Sequence, residues 1–304
     1  MNVFMRSVIG ASLLSLAAFS CTLRARAANS NRLVLSPILQ PGQKILYHLH
    51  FTTEKKTRSE SRVVSPMVPE NASADTERLL ETEVKSVTGA PAHTQVLLLT
   101  HMSQVDGTAL AGGDGNVEFS LLDDGRASDV KGLDALSADE QSLWRQWLSQ
   151  FAFSWTFPAD GIKPGDKWKK EESIVGTALV ALVWEKQFEY VRNEPCPQRL
   201  DAAAKPQKSR ALCAVVVTTS SMKQKSPRED ATPDDYKIHH LKTSGTARGK
   251  TQVISYISLR TRLLERATED SVQSMDVIIA KSDDSNQVHF NVDAASRAEV
   301  LLIE

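Results

Sequence analysis

Apolar and polar residues alternate with a period of two through much of this 304-residue chain, the spacing of strands that bury one face. In QKILYHLHFT, Ile45, Tyr47, Leu49 and Phe51 fall on one side. In VWEKQFEYV, Trp184, Phe188 and Tyr190 share a side, and Glu185, Gln187 and Glu189 take the other. QVLLLTHM and CAVVVTT are apolar on both sides and read as strands covered twice. VISYISL and SMDVIIA add further strands, and VEFSLLDDGR runs into an Asp-Gly turn. One segment breaks the period. In SADEQSLWRQWLSQF, Ser137 and Glu140 form a capping box, and Leu143, Trp144, Trp147, Leu148 and Phe151 recur at helical spacing. This predicts an amphipathic helix over 137–151, with Trp155 and Phe157 extending its aromatic cluster.

Turn punctuation organises these elements. Pro41-Gly42-x-Lys44 and Pro164-Gly165-x-Lys167 each stand just ahead of a strand, and GNVEFSLLDDGR has a weaker counterpart in GKTQVISYISLR. The agreement of order and context predicts a mainly β fold: an antiparallel curved sheet or half-barrel built from two related halves, with the helix between them. The first half would span 28–136, the connecting helix and linker 137–157, and the second half 158–304, within one compact domain. Two segments poor in apolar residues, Arg58 to Thr76 and Leu200 to Lys208, are expected to include mobile loops.

The chain opens with Arg6, the apolar run Val8 to Phe19 and the small-residue signal Ala25-Arg26-Ala27, the layout of a secretory leader over residues 1–27. The run is too short to span a bilayer, and no later stretch comes closer. Cys21 follows it directly, so lipidation at Cys21 is the alternative to cleavage before Ala28. Either way the expected location is periplasmic or extracellular, with no transmembrane segment in the mature chain. Export bears on the cysteines too. Cys196 and Cys213 remain after the leader, and in an oxidising compartment they read as one disulfide.

Charge narrows the partners. The formal net charge is −1, and removing the three arginines of the leader makes it more acidic. A nucleic-acid partner would need a basic face. The run Lys55, Lys56, Arg58, Arg62 reads instead as a solvated strand edge or hairpin.

Candidate chemistry is sparse. His48 and His50 lie two apart and could share a metal, with His101 as a third ligand, yet alternation places them on the solvated side of their strand. His239-His240 would point to opposite faces. The pairs Asp123-Asp124, Asp234-Asp235 and Asp283-Asp284 fall in turn-like stretches, and Gly112 to Gly115 lacks the strand-turn-helix context of a phosphate loop. No catalytic or metal-binding residue is assigned and no cofactor is expected.

Pro158, Gly165, Asp166 and Trp168 form a Pro…Gly-Asp-x-Trp segment after the helix. With the long meander that follows, the chain resembles a group of uncharacterised exported bacterial proteins, many of them lipoproteins, over most of residues 33 to 281. In outline these are similar to the half-barrel lipoprotein carriers of the Lol type. That resemblance implies an acyl-binding concave face and supplies no catalytic residues. The expected function is a non-enzymatic envelope protein whose groove, bordered by Trp144, Trp147, Phe151, Phe51 and Phe188, takes a lipid or other hydrophobic ligand. The alternatives are an envelope scaffold that contacts another envelope protein, and a hydrolase with an unrecognised site.

Overall fold

The computed structural model describes residues 32–303 apart from 36, 62–70, 90–94, 105–115, 123–126, 137–140, 142–143, 145–146, 149–156, 159, 175–176, 198–210, 226–231 and 284–285. Among the described residues the fold consists of eleven strands: β1 (Lys44–Ser61), β2 (Asn71–Thr88), β3 (Gln95–Ser103), β4 (Asn116–Leu121), β5 (Ala127–Lys131), β6 (Lys167–Ser173), β7 (Leu182–Pro195), β8 (Leu212–Gln224), β9 (Leu241–Ser258), β10 (Leu264–Lys281) and β11 (Gln287–Leu302). They form one antiparallel sheet in the order β5-β4-β3-β2-β1-β11-β10-β9-β8-β7-β6. Every neighbouring pair but one is consecutive in the chain. The exception is β1 with β11, which joins the first and last long strands and makes two meanders into a single sheet.

This corrects the expected fold class. The sheet is continuous, with no demonstrated pair of related halves, and the two Pro-Gly turns open strands of different standing. Gly42 (φ 80°) precedes β1, an interior strand between β2 and β11, whereas Gly165 (φ 92°) precedes β6, which among the described residues is an edge strand beside β7. A Pro-Gly pair specifies a local reversal and nothing about what lies beside the strand that follows. Nor is the principal amphipathic helix found among the described residues, of which Gln141 and Trp144 are helical and Trp147 and Leu148 form a π turn. Among the described residues the named helices are a 3-10 turn at Leu133–Ala135 and the five-residue α1 (Asp234–Ile238). Most of 137–157 lies outside the described residues. Strand pairing also claims much of the expected first loop, since β1 runs through Arg58 to Ser61 and β2 resumes at Asn71. The leader, Cys21 and Leu200 to Lys208 lie outside the described residues. Among the described residues no helix is long and apolar enough to cross a membrane.

Alternation does place the core. Ile45, Tyr47, Leu49 and Phe51 are buried on one face of β1, and they join Leu80, Leu98, Phe119, Val253 and Val300 with Trp144 and Trp147 in the largest apolar cluster. A second cluster gathers Phe188, Tyr190, Ala214, Val216 and Ile257 against Leu35 and Ile162. A segment before β1 is tied to this cluster by a bridge between Leu33 and Ile162 and by Arg32, which pairs with Asp166 at 2.8 Å. A third, smaller cluster of Leu179, Leu182, Met222 and Val277 sits toward the other end of the strands, with Trp184 against it.

Cys196 and Cys213 form the expected disulfide, with Cα atoms 4.9 Å apart. Cys196 lies just past the end of β7 and Cys213 near the start of β8, and the Cys196 amide donates to the Ala211 carbonyl at 2.9 Å. The bridge therefore ties the end of β7 to the start of β8. Closing a loop of this length contributes about 3 kcal/mol through the unfolded chain. Replacing both cysteines with alanine should lower thermal stability accordingly. Reductant should shift the melting temperature of the native chain and leave that of the double variant unchanged. Equal melting temperatures for the two oxidised proteins would overturn the assignment.

Candidate functional site

Antiparallel pairing carries residues of equal register across the sheet in transverse rows whose side chains share a face. One such row reads Lys170 on β6, Lys186 on β7, Ser220 on β8, Thr251 on β9, Ser271 on β10 and Ser296 on β11. Parity puts this row on the same face as Phe188 and Val253, the face that elsewhere is apolar core. Lys186 is only 5% exposed and Ser220 6%, and Thr251 and Ser271 are buried beside them. Six polar side chains thus stand in line on the core face of the sheet.

The same level bounds a cleft of about 1140 Å³. Its walls are three consecutive residues from each of six strands, 169–171, 185–187, 219–221, 250–252, 270–272 and 295–297, with Thr52 and Glu54 of β1 completing them. Val272 and Ala295 are the apolar members among them. The remaining lining residues are hydroxyl, amide or charged.

Ion pairs organise this level. Lys186 Nζ donates to Glu172 Oε2 at 2.6 Å. The flanking rows, which point the opposite way, carry their own pairs: Arg297 Nε to Asp270 Oδ1 at 2.9 Å, Lys223 with Glu185, and Lys225 with Glu171. The hydroxyls of Thr251 and Ser271 are hydrogen-bonded at 3.0 Å. The Oγ of Ser220 is buried and has no hydrogen-bond partner among the described residues. Beyond the row, burial raises the pKa of the Tyr190 phenol above its ordinary value, partly offset by its hydrogen bond to Asn193. It stays neutral at physiological pH.

The aromatic residues expected to border a groove do not meet at this cleft. Trp144 is 0% and Trp147 1% exposed, both inside the largest apolar cluster with Phe51. Phe188 belongs to the second cluster, where its ring stacks on Trp168 with centroids 5.2 Å apart. Phe151 lies outside the described residues. His50 Nε2 is 2.7 Å from Asp75 Oδ1, His48 Nε2 is 3.8 Å from Glu77 Oε2, and His101 Nδ1 is 3.2 Å from Asn116 Oδ1. Among the described residues no three metal-ligating groups converge.

The buried polar row is not evident from sequence. Its signal is present in VWEKQFEYV, where Lys186 interrupts the face set by Trp184, Phe188 and Tyr190. A lysine on an apolar face becomes informative only when the neighbouring strands place Ser220 and Thr251 beside it, and that requires the register.

No protein-family model matches the chain, and no curated protein matches it. Among solved structures it is similar to a protein designated as exported, with a YmcC-like fold, from Bacteroides fragilis, at 11% identity over 87% of this chain and 95% of that one, with TM-score 0.32. It is also similar to a chain designated as a lipoprotein from Parabacteroides distasonis, at 10% identity over 90% and 99%, with TM-score 0.30. The outer membrane protein OprG from Pseudomonas aeruginosa is more distant, at 9% identity over 86% and 95%, with TM-score 0.15. Likeness at this level leaves the chemistry of the site to the residues of this chain.

Proposed function

We propose that this chain is an exported, non-enzymatic cell-envelope protein that holds a polar ligand in the cleft across β6 to β11 and β1. One observation carries the reading: a space of about 1140 Å³, large enough for a small ligand, is lined by residues with hydroxyl, amide or charged groups, Val272 and Ala295 apart. An acyl chain gains from apolar walls, and the large aromatics that could supply them are packed into core clusters. Hydroxyl, amide and ammonium groups in transverse rows instead match a ligand rich in hydroxyls or charged oxygens. A serine-lysine hydrolase would need the lysine amine bonded to the serine hydroxyl. Here the Lys186 ammonium reaches Glu172 at 2.6 Å, and Ser220 Oγ lacks a partner among the described residues. The leader-like opening of the chain and the disulfide support export.

Native mass spectrometry of protein purified from the envelope of an expressing bacterium tests this. A water-soluble molecule should co-purify, and its removal should raise hydrogen exchange at 219–221 and 250–252. A co-purifying acyl lipid, or exchange at those segments unchanged by stripping, would reject the polar cleft.

A further inference from the structure

The residues that line the cleft divide by parity, and only one set reaches solvent. Lys186, Ser220, Thr251 and Ser271 point to the core face and are buried there, with the Ser220 Oγ shielded from solvent. The rows on either side point the opposite way and are largely exposed. At the β1 end Thr52 and Glu54 line the cleft, and Thr53 between them does not. The cleft is therefore a trough on the face away from the apolar clusters, and the buried row supplies only the backbone of its floor. One flanking row runs from Lys169 on β6 through Gln187, Thr219 and Gln252 to Thr52 on β1. Seven strands at a spacing of about 4.8 Å make the trough about 29 Å long, so its 1140 Å³ leaves a mean cross-section of about 40 Å². That is the width of one extended chain rather than of a compact molecule.

Charge selects neither sign. Of the carboxylates that line the trough, Glu171, Glu185 and Asp270 are paired with Lys225, Lys223 and Arg297, and Glu54 remains to set against Lys169 and Lys250. In the middle, the side chains of Gln187, Thr219 and Gln252 are exposed and make no hydrogen bond among the described residues. Beside them Val272 is 56% exposed, an apolar spot in a polar floor. The strands beneath, β7 to β11, are each paired on both sides, so an extended peptide finds no free backbone edge there. We infer that the trough holds a linear, uncharged oligosaccharide that runs across the strands. Gln187, Thr219 and Gln252 bond successive sugar hydroxyls, one strand spacing being close to the advance of one sugar in an extended chain. Val272 packs against the C–H face of a ring. The inference rests on the polar-cleft reading and sets the shape and class of the ligand.

Isothermal titration calorimetry on the exported chain, after exhaustive dialysis, provides the test. The probes are cellohexaose and chitohexaose, their di- and tetrasaccharides, and pentaglycine. At least one hexasaccharide should bind saturably, with affinity rising from the disaccharide to about the hexasaccharide, the length that fills the span of seven strands. Thr219→Trp, which places an indole in the middle of the trough, should abolish binding. Thr52→Trp, at one end, should reduce the hexasaccharide to the affinity of the tetrasaccharide and leave the tetrasaccharide unchanged. Gln252→Ala should weaken the hexasaccharide about two- to tenfold, the loss of one neutral hydrogen bond. Ser220→Ala should leave affinity unaltered, and a loss there equal to that of Gln252→Ala would return the ligand to the core face and overturn the inference. Affinity independent of length, preference for pentaglycine, or no saturable heat with any probe would overturn it as well. A compact polar solute co-purifying with the chain would do so too, while leaving the polar cleft standing.

Discussion

Replacing Gly245 with alanine is expected to destabilise the protein by at least about 3 kcal/mol, read as a lower urea midpoint with an unchanged slope. Gly245 sits within β9 opposite Val277 of β10, at φ 143°. A side chain there would place its Cβ 2.0 Å from the Asp276 carbonyl oxygen and 2.9 Å from Val277 Cα. Both obstacles are backbone of a neighbouring strand, held by the ladder on each side, so neither can swing away as the end of a long side chain would. Gly42 provides the control. It also has positive φ, 80°, but nothing lies within 4 Å of the point where an alanine methyl would stand. Gly42→Ala should therefore cost only the conformational penalty, about 1–2 kcal/mol. The ordering of the two variants is the informative measurement. An equal or smaller loss for Gly245→Ala would mean that β9 and β10 do not approach as described.

Trp147→Ala should lower stability by about 3–5 kcal/mol. The indole is 1% exposed within the cluster that unites β1 to β4 with β9 to β11, and its ring meets Tyr47 edge-on at 5.2 Å and 60°. Truncation removes apolar contact area and that ring pair, and leaves a cavity that flanking strands cannot close without breaking register. Trp168 offers a contrast, because it is partly buried on the edge strand β6, where it stacks on Phe188. Its truncation should cost roughly 1–2 kcal/mol by the area lost. The folded fraction of Trp147→Ala should bind the cleft's polar ligand as the native chain does. A variant of native stability that had lost affinity for a fluorescent fatty acid would instead place Trp147 at an apolar ligand site.

Individual strands were legible because alternation is local. A residue's side of a strand follows from its neighbours two places away, and the assignments of Ile45, Tyr47, Leu49 and Phe51 to a buried face, and of His48 and His50 to the other, needed nothing more. The candidate site was not legible in the same way. The aromatic stripe at Trp144 and Trp147 signals burial, but burial against core and burial against a ligand have the same periodicity. The row through Lys186 and Ser220 is assembled from six strands separated by long stretches of chain, and no local pattern links them.

The amino-acid sequence by itself determined the pairing of Cys196 with Cys213, the β character of the chain, and the turns at Gly42 and Gly165, since each depends on composition or on contacts between near neighbours. Tertiary structure alone decided that β1 pairs with β11, that the described strands form one sheet, and that a polar row is buried across it. The reason lies in the ladder. Antiparallel hydrogen bonding is indifferent to which side chains it aligns, so register is set by the whole set of faces that must be buried together, and a shift of one residue on any strand would turn Lys186 or Ser220 to the opposite face.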